Sequence, residues 1–136
     1  MDIENAQLVS TTFMCILLAW SVVWIVLGVI NLNKSSEKPY FWKTHALWCL
    51  VNAVIAIVAL AGIFGRETFD IEYVTSQKNI VLINIGLDVV YAIIAGILLR
   101  SKKSKYVQVG SALLIQAVFL FVLDSCIVLV LNQLIR

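Results

Sequence analysis

The sequence predicts an all-α protein, an integral membrane four-helix bundle running up-down-up-down, and three observations carry that prediction. Of 136 residues, 62% are hydrophobic and 13% charged, with a mean hydropathy of +0.99, well outside the range of a water-soluble domain. Four apolar stretches each approach or exceed the roughly 20 residues that a helix needs to cross a bilayer's hydrocarbon core. The connections between them are short and charged. Such a chain forms a single transmembrane domain over 1–136 with no room for an appended soluble unit.

The first span is expected over about 8–30. Met1 to Gln7 ahead of it carries Asp2 and Glu4 without Lys or Arg, unlike the basic start of a secretory signal, so cleavage is not expected. Asn31-Leu32-Asn33-Lys34-Ser35-Ser36-Glu37-Lys38-Pro39 closes the span with turn formers and charge. The second span, about 43–63, ends at Gly62 and Gly65 before the mixed-charge loop Arg66 to Glu72. The third, about 80–99, stops at the basic turn Arg100-Ser101-Lys102-Lys103-Ser104-Lys105, and the fourth runs over about 106–131.

Basic residues set the expected orientation. Lys34, Lys38 and Lys43 lie in the first connection and Arg100, Lys102, Lys103 and Lys105 in the third, whereas the opposite side holds Arg66, Lys78 and Arg136. The positive-inside rule then makes the two basic loops cytoplasmic and places both termini outside. Seen this way, the Lys and Arg residues are topology signals. They are not a nucleic-acid footprint, and no nucleic-acid partner is expected.

The polar residues inside the spans are the candidates for function. Asp88 is the only formal charge between Ile80 and Leu99. A charge there costs roughly 2.5–3.5 kcal/mol even on lenient insertion scales, so it must turn inward, hold a proton or find a partner. Asn84, Asp88, Tyr91 and Ala95, spaced i, i+4, i+7 and i+11, share one stripe, and Ala92 with Gly96 forms a small-xxx-small pair that invites close helix approach. His45, Trp48, Asn52, Ala56 and Ala59 make a similar stripe on span two. On span four, Gln116 and Asp124 fall within about 80° of each other.

Helix rise then arranges these by depth. Asp88 and Asp124 fall at comparable depth in the outer half of the membrane, with Asn52, Tyr91 and Gln116 as a second polar layer nearer the midplane. His45 marks the cytoplasmic mouth. Two carboxylates brought together do not both ionise cheaply, so one retains a proton, as a proton relay or cation site requires. The plainer alternative is that each acid is protonated and hydrogen-bonds a neighbouring helix to specify packing. The binding or proton-relay candidates are thus Asp88, Asp124, Asn84, Asn52, Tyr91, Gln116 and His45.

Other chemistry finds little support. His45 is the sole histidine, which excludes a bis-histidine haem within one chain and leaves no zinc set, so neither metal nor cofactor is expected. Cys15, Cys49 and Cys126 lie in spans without a C-x-x-C spacing and are expected to be buried as small hydrophobes. Trp20 and Trp24 sit too deep for an interfacial belt and are expected to pack. No phosphate loop, nucleophile elbow or H-E-x-x-H motif is present, so catalytic residues and enzymatic activity are not expected. The leading expectation is a non-enzymatic protein that binds a small ligand, lipid or partner helix through its polar face, within a homo-oligomer or beside a partner membrane protein. The alternative is a small proton- or cation-coupled transporter using Asp88 and Asp124.

His45-Ala46-Leu47-Trp48 leading to Asn52-Ala53, Ile83-Asn84-Ile85-Gly86-Leu87-Asp88-Val89-Val90-Tyr91, and Gln116-Ala117-Val118-Phe119-Leu120-Phe121-Val122-Leu123-Asp124 together resemble an uncharacterised family of small bacterial four-span membrane proteins. The resemblance covers spans two to four, and its most specific part is Asn-x-x-x-Asp-x-x-Tyr. It implies a multi-pass protein of the bacterial inner membrane and nothing about substrate.

Overall fold

A computed structural model describes residues 3–34, 37–66 and 68–135. The expectations that touch Asp2, Ser35, Ser36, Glu67 and Arg136 lie outside these residues. Four helices follow one another: α1 (Ile3–Asn33), α2 (Pro39–Phe64), α3 (Ile71–Leu99) and α4 (Ser104–Ile135), with no strand among the described residues. All four are long and apolar enough to cross a membrane. At about 1.5 Å per residue they run about 39–48 Å, longer than a hydrocarbon core of about 30 Å.

Local chemistry sets the ends of these helices, and it extends them beyond the expected spans. Pro39 opens α2 at a position where its missing N–H costs nothing. Asp70 caps α3, its side chain accepting a hydrogen bond from the Tyr73 backbone N–H at 2.9 Å. Helix α3 therefore begins at Ile71, and not near Ile80, which places Asp88 close to the middle of the helix. At the other end Ser104 opens α4, and its hydroxyl accepts from Gln108 Nε2.

Large apolar side chains such as Leu8, Val23, Val58, Ile83, Ile97 and Leu129 stand exposed around the bundle. A water-soluble unit of this size does not carry so much continuous apolar surface, whereas hydrocarbon solvates it. The buried positions are correspondingly narrow seams. In α3 they are Val74, Val81, Asp88 and Ala95, one residue every seven, so Asp88 occupies a core position of the helix. Helix α4 is buried along a broader strip, including Gly110, Leu113, Gln116, Leu120, Asp124 and Ile127.

That breadth follows from the packing. Helices α1 and α2 form one hairpin and α3 and α4 another, and α4 also lies against both α1 and α2. Helices α2 and α3, which neighbour each other in a regular up-down-up-down bundle, are not closely packed here. Aromatic groups bridge them instead: Trp48 meets Tyr91 edge-on at 4.8 Å, and far along the helices Tyr73 lies over Gly62. Between these two contacts the bundle is open.

Close approach within the hairpins occurs at glycines other than the one expected. A Cβ on Gly110 would sit 2.9 Å from Leu98 Cβ and 3.0 Å from the Ala95 carbonyl oxygen, and one on Gly28 would sit 3.0 Å from both Ala46 Cβ and the Trp42 carbonyl oxygen. Gly96, the expected contact, has no such neighbour within 4 Å. Two of the cysteines also depart from expectation: Cys49 is buried, but Cys15 and Cys126 are exposed on the apolar outer surface.

Candidate binding site

The opening between α2 and α3 is a cavity of about 310 Å³ whose walls come from all four helices. Asn84, Asp88 and Tyr91 from α3 face Trp48 and Asn52 from α2, with Asp124 of α4 behind them. The side chains are there because the α3 stripe, spaced every three or four residues, meets the His45–Asn52 face of α2. Apolar side chains, including Leu17, Val51, Ile55, Leu87 and Leu120, make up the rest of the wall.

Asp88 and Asp124 both line this cavity. Two carboxyl groups sharing one hollow do not both ionise cheaply, so at least one of them holds a proton. Asp88 is only 4% exposed and Asn52 only 7%. Even so, Asp88 Oδ2, Asn52 Nδ2 and Trp48 Nε1 are all buried without a hydrogen-bond partner. A buried donor or acceptor left unsatisfied costs about 1–3 kcal/mol. Three such atoms belong to residues of the cavity wall, each atom itself covered by its neighbours.

A second polar cluster lies beside the first and is built differently. Gln116 and His45 are both fully buried. Gln116 Oε1 accepts from Trp20 Nε1 at 2.9 Å, and its amide nitrogen is 2.7 Å from His45 Nδ1. Because an indole N–H only donates, the amide turns its oxygen to Trp20 and its nitrogen to His45. Nδ1 of His45 therefore accepts, and the ring proton sits on Nε2, which has no partner. Flat rings enclose the cluster: Trp24 stacks on His45 at 3.9 Å and 14°, Phe41 meets it edge-on, and Trp20 stacks on Phe119 at 3.8 Å.

The sequence-derived candidates thus divide in two. Asp88, Asp124, Asn84, Asn52 and Tyr91 gather around the cavity. Gln116 does not join Asn52 and Tyr91 as a midplane layer, since it bonds to Trp20 and His45 instead. His45 does not mark the mouth of the bundle: α2 starts at Pro39, which carries the ring more than a turn and a half into the helix and into full burial. Trp48 and Trp20 were not among the candidates. Their signal was available, because Trp48 shares the Asn52 stripe and Trp20 lies too deep for an interfacial belt.

No group of three or more His, Cys, Asp or Glu side chains converges as a metal site among the described residues. A model for a family of unknown function, DUF6992, matches residues 16–125, which takes in the whole cavity-lining set apart from Met14. No curated protein and no solved structure matches the chain.

Proposed function

The chain belongs to that family of unknown function, and from its geometry we propose that it is a non-enzymatic, multi-pass membrane protein that binds a small ligand in the cleft between α2 and α3. The observation that carries this reading is the set of three unpartnered buried polar atoms, Asp88 Oδ2, Asn52 Nδ2 and Trp48 Nε1, on residues that line one cavity. The cavity's size falls at the small end of the roughly 300–1,000 Å³ typical of ligand pockets, and its mostly apolar wall with a few convergent polar groups is the usual composition of such sites. In this reading the membrane is a bacterial inner membrane, and the two basic loops are cytoplasmic. Those loops lie at one end of the bundle, where the Tyr40 backbone N–H at the start of α2 donates to Gln108 Oε1 at the start of α4.

The test is ligand-dependent stabilisation. Wild-type protein in lipid nanodiscs, heated with a panel of small amphipathic molecules, is expected to gain melting temperature with a subset of them. Asn84→Phe, which fills the cleft with a ring, is expected to lose that response. If no molecule distinguishes the two folded proteins, the cleft is not a ligand site. A dimer or a co-purifying membrane protein that disappears in Asn84→Phe would replace the small ligand with a partner helix.

The two acids on one cavity wall favour a second reading, a proton- or cation-coupled transporter, because a proton held by Asp88 or Asp124 inside the membrane is a movable one. In proteoliposomes this reading predicts a proton flux that Asp88→Asn abolishes without loss of folding. Folded wild type that conducts no more than empty vesicles would remove it.

A further inference from the structure

We propose that the basic end of the bundle holds a site for an anionic phospholipid, with the phosphate in a pocket between the starts of α2 and α4 and an acyl chain along α4. The site is separate from the α2–α3 cleft and rests only on the membrane-spanning reading. Charge is concentrated at this end. Segments 34–43 and 100–105 carry Lys34, Lys38, Lys43, Arg100, Lys102, Lys103 and Lys105 against one acid, Glu37. An excess of that kind attracts any anionic membrane surface, and a pocket turns the general attraction into a site. The pocket here is about 400 Å³, with Lys38 and Phe41 lining it from the start of α2 and Lys102, Ser104 and Ser111 from the start of α4.

The chain's own contacts hold this pocket in shape. Gln108 Oε1 accepts from the Tyr40 backbone N–H at 3.0 Å, and Gln108 Nε2 donates to Ser104 Oγ at 2.9 Å, which ties the start of α2 to the start of α4. Lys103 and Lys105 lie over the rings of Tyr106 and Tyr40 at 5.7 and 5.1 Å, whereas Lys38 and Lys102 line the pocket. Because Ser104 Oγ is the acceptor in its bond with Gln108, its hydroxyl proton is left to donate. Ser104 also opens α4, and the first-turn N–H groups and positive end of a long helix favour a phosphate. Two ammonium groups, a hydroxyl and a helix start thus serve one anion. Glu37, also on the wall, opposes it.

A lipid fits better than free phosphate because the pocket continues into the apolar surface. At about 100° per residue, Ser104, Ser111, Ile115, Val118 and Val122 fall within about 60° of one another around α4, and Ile115, Val118 and Val122 are exposed. A headgroup held beside Ser104 and Ser111 therefore directs its chains onto a strip of α4 that hydrocarbon solvates. Tyr40 and Tyr106, both exposed at the helix starts, are the residue type that sits at headgroup level. Free phosphate makes no use of the strip.

The experiment is native mass spectrometry of the full chain in neutral detergent, titrated with dioleoylphosphatidylglycerol or dioleoylphosphatidylcholine. Wild type is expected to bind one phosphatidylglycerol more tightly than any that follow, and about tenfold or more tighter than phosphatidylcholine, as charge-assisted hydrogen bonds require. Lys38→Gln combined with Lys102→Gln is expected to weaken that first step by about tenfold or more. Lys34→Gln combined with Lys43→Gln removes the same charge from the same end, outside the pocket wall, and is expected to weaken it by less than about threefold, as screened surface charge does. Glu37→Gln is expected to tighten it. Lys38 makes no side-chain cap bond to α2, so its loss leaves the helix start intact. Should the Lys38 and Lys102 variant still fail to fold, Ser111→Phe, which fills the pocket without changing charge, is expected to show the same loss. Equal weakening by the two double variants, or phosphatidylcholine bound as tightly as phosphatidylglycerol, overturns the proposal and leaves only general attraction to an anionic surface. Displacement of the lipid by inorganic phosphate at equal concentration also overturns it, in favour of a free-anion site. None of these outcomes bears on the α2–α3 cleft.

Discussion

The two buried polar clusters differ in one respect, and the difference separates packing from binding. Around Gln116, one amide spends its oxygen on Trp20 and its nitrogen on His45, stacked rings cover the cluster, and His45 Nε2 is left unpartnered. Around Asp88, an acceptor and two donors are left unpartnered on residues that wall a cavity. Buried polar groups in a helix bundle specify structure when their partners belong to the chain. When the partners are missing and there is room for them, the same residue types cost stability and become a place for something else.

The largest expected effect tests the closed cluster. Gln116→Leu keeps the volume and removes both partners at once, leaving the Trp20 N–H and His45 Nδ1 unsatisfied. At about 1–3 kcal/mol for each stranded group, the loss is about 2–6 kcal/mol, read as a lowered unfolding midpoint in detergent. The matching change in the open cluster, Asn52→Leu, removes a donor that already lacks a partner. Its stability change is expected to stay within about 1 kcal/mol of zero, or to be favourable. Equal losses in the two variants would break the comparison, because they would mean that Asn52 has a structural partner after all.

Backbone spacing gives the next effect. Gly110→Ala drives a Cβ against the Ala95 carbonyl oxygen and the Leu99 backbone nitrogen at 3.0 and 3.1 Å, and backbone atoms do not swing aside as a long side chain does. Overpacking of this kind costs about 1–3 kcal/mol. The α3–α4 hairpin that carries Asp88 and Asp124 would loosen, so ligand binding in the cleft is expected to weaken along with the unfolding midpoint. A lowered midpoint with binding intact would show that the pair does not depend on the close approach at Gly110.

Much of this arrangement could be read in the sequence, and what was missed has a physical cause. Composition and length indicate the four helices, and the i, i+4, i+7 stripe sets Asp88 beside Asn84 and Tyr91 on one face, because helical geometry alone determines which residues share it. Depth is less secure, since it is counted from helix ends. Pro39 and Asp70 start α2 and α3 earlier than the apolar runs do, which moved His45 from the mouth to the interior and Asp88 toward the middle of α3. Helix separation is not encoded in a stripe at all. Sequence shows that α2 and α3 have facing polar sides, but only the Trp48 and Tyr91 rings, set between the helices, show that those sides stand apart around a cavity.

The smallest expected effect concerns a residue whose spacing promised more. Ala92 and Gly96 have the small-xxx-small pattern that lets helices touch, yet a Cβ on Gly96 would meet no such neighbour within 4 Å. Within a single chain, Gly96→Ala therefore adds no clash and removes only the excess backbone freedom of glycine in a helix. A gain of about 0.5–1 kcal/mol is expected, seen as a small rise in the unfolding midpoint with ligand binding in the cleft unchanged. The sign is informative because the same substitution at Gly110 is expected to go the other way. Destabilisation at Gly96, growing with protein concentration in the nanodisc or micelle, would mean that a second helix already rests on this face of α3. The contact would then lie between copies of the chain, beside Asp88, and the open region would be open only in the monomer.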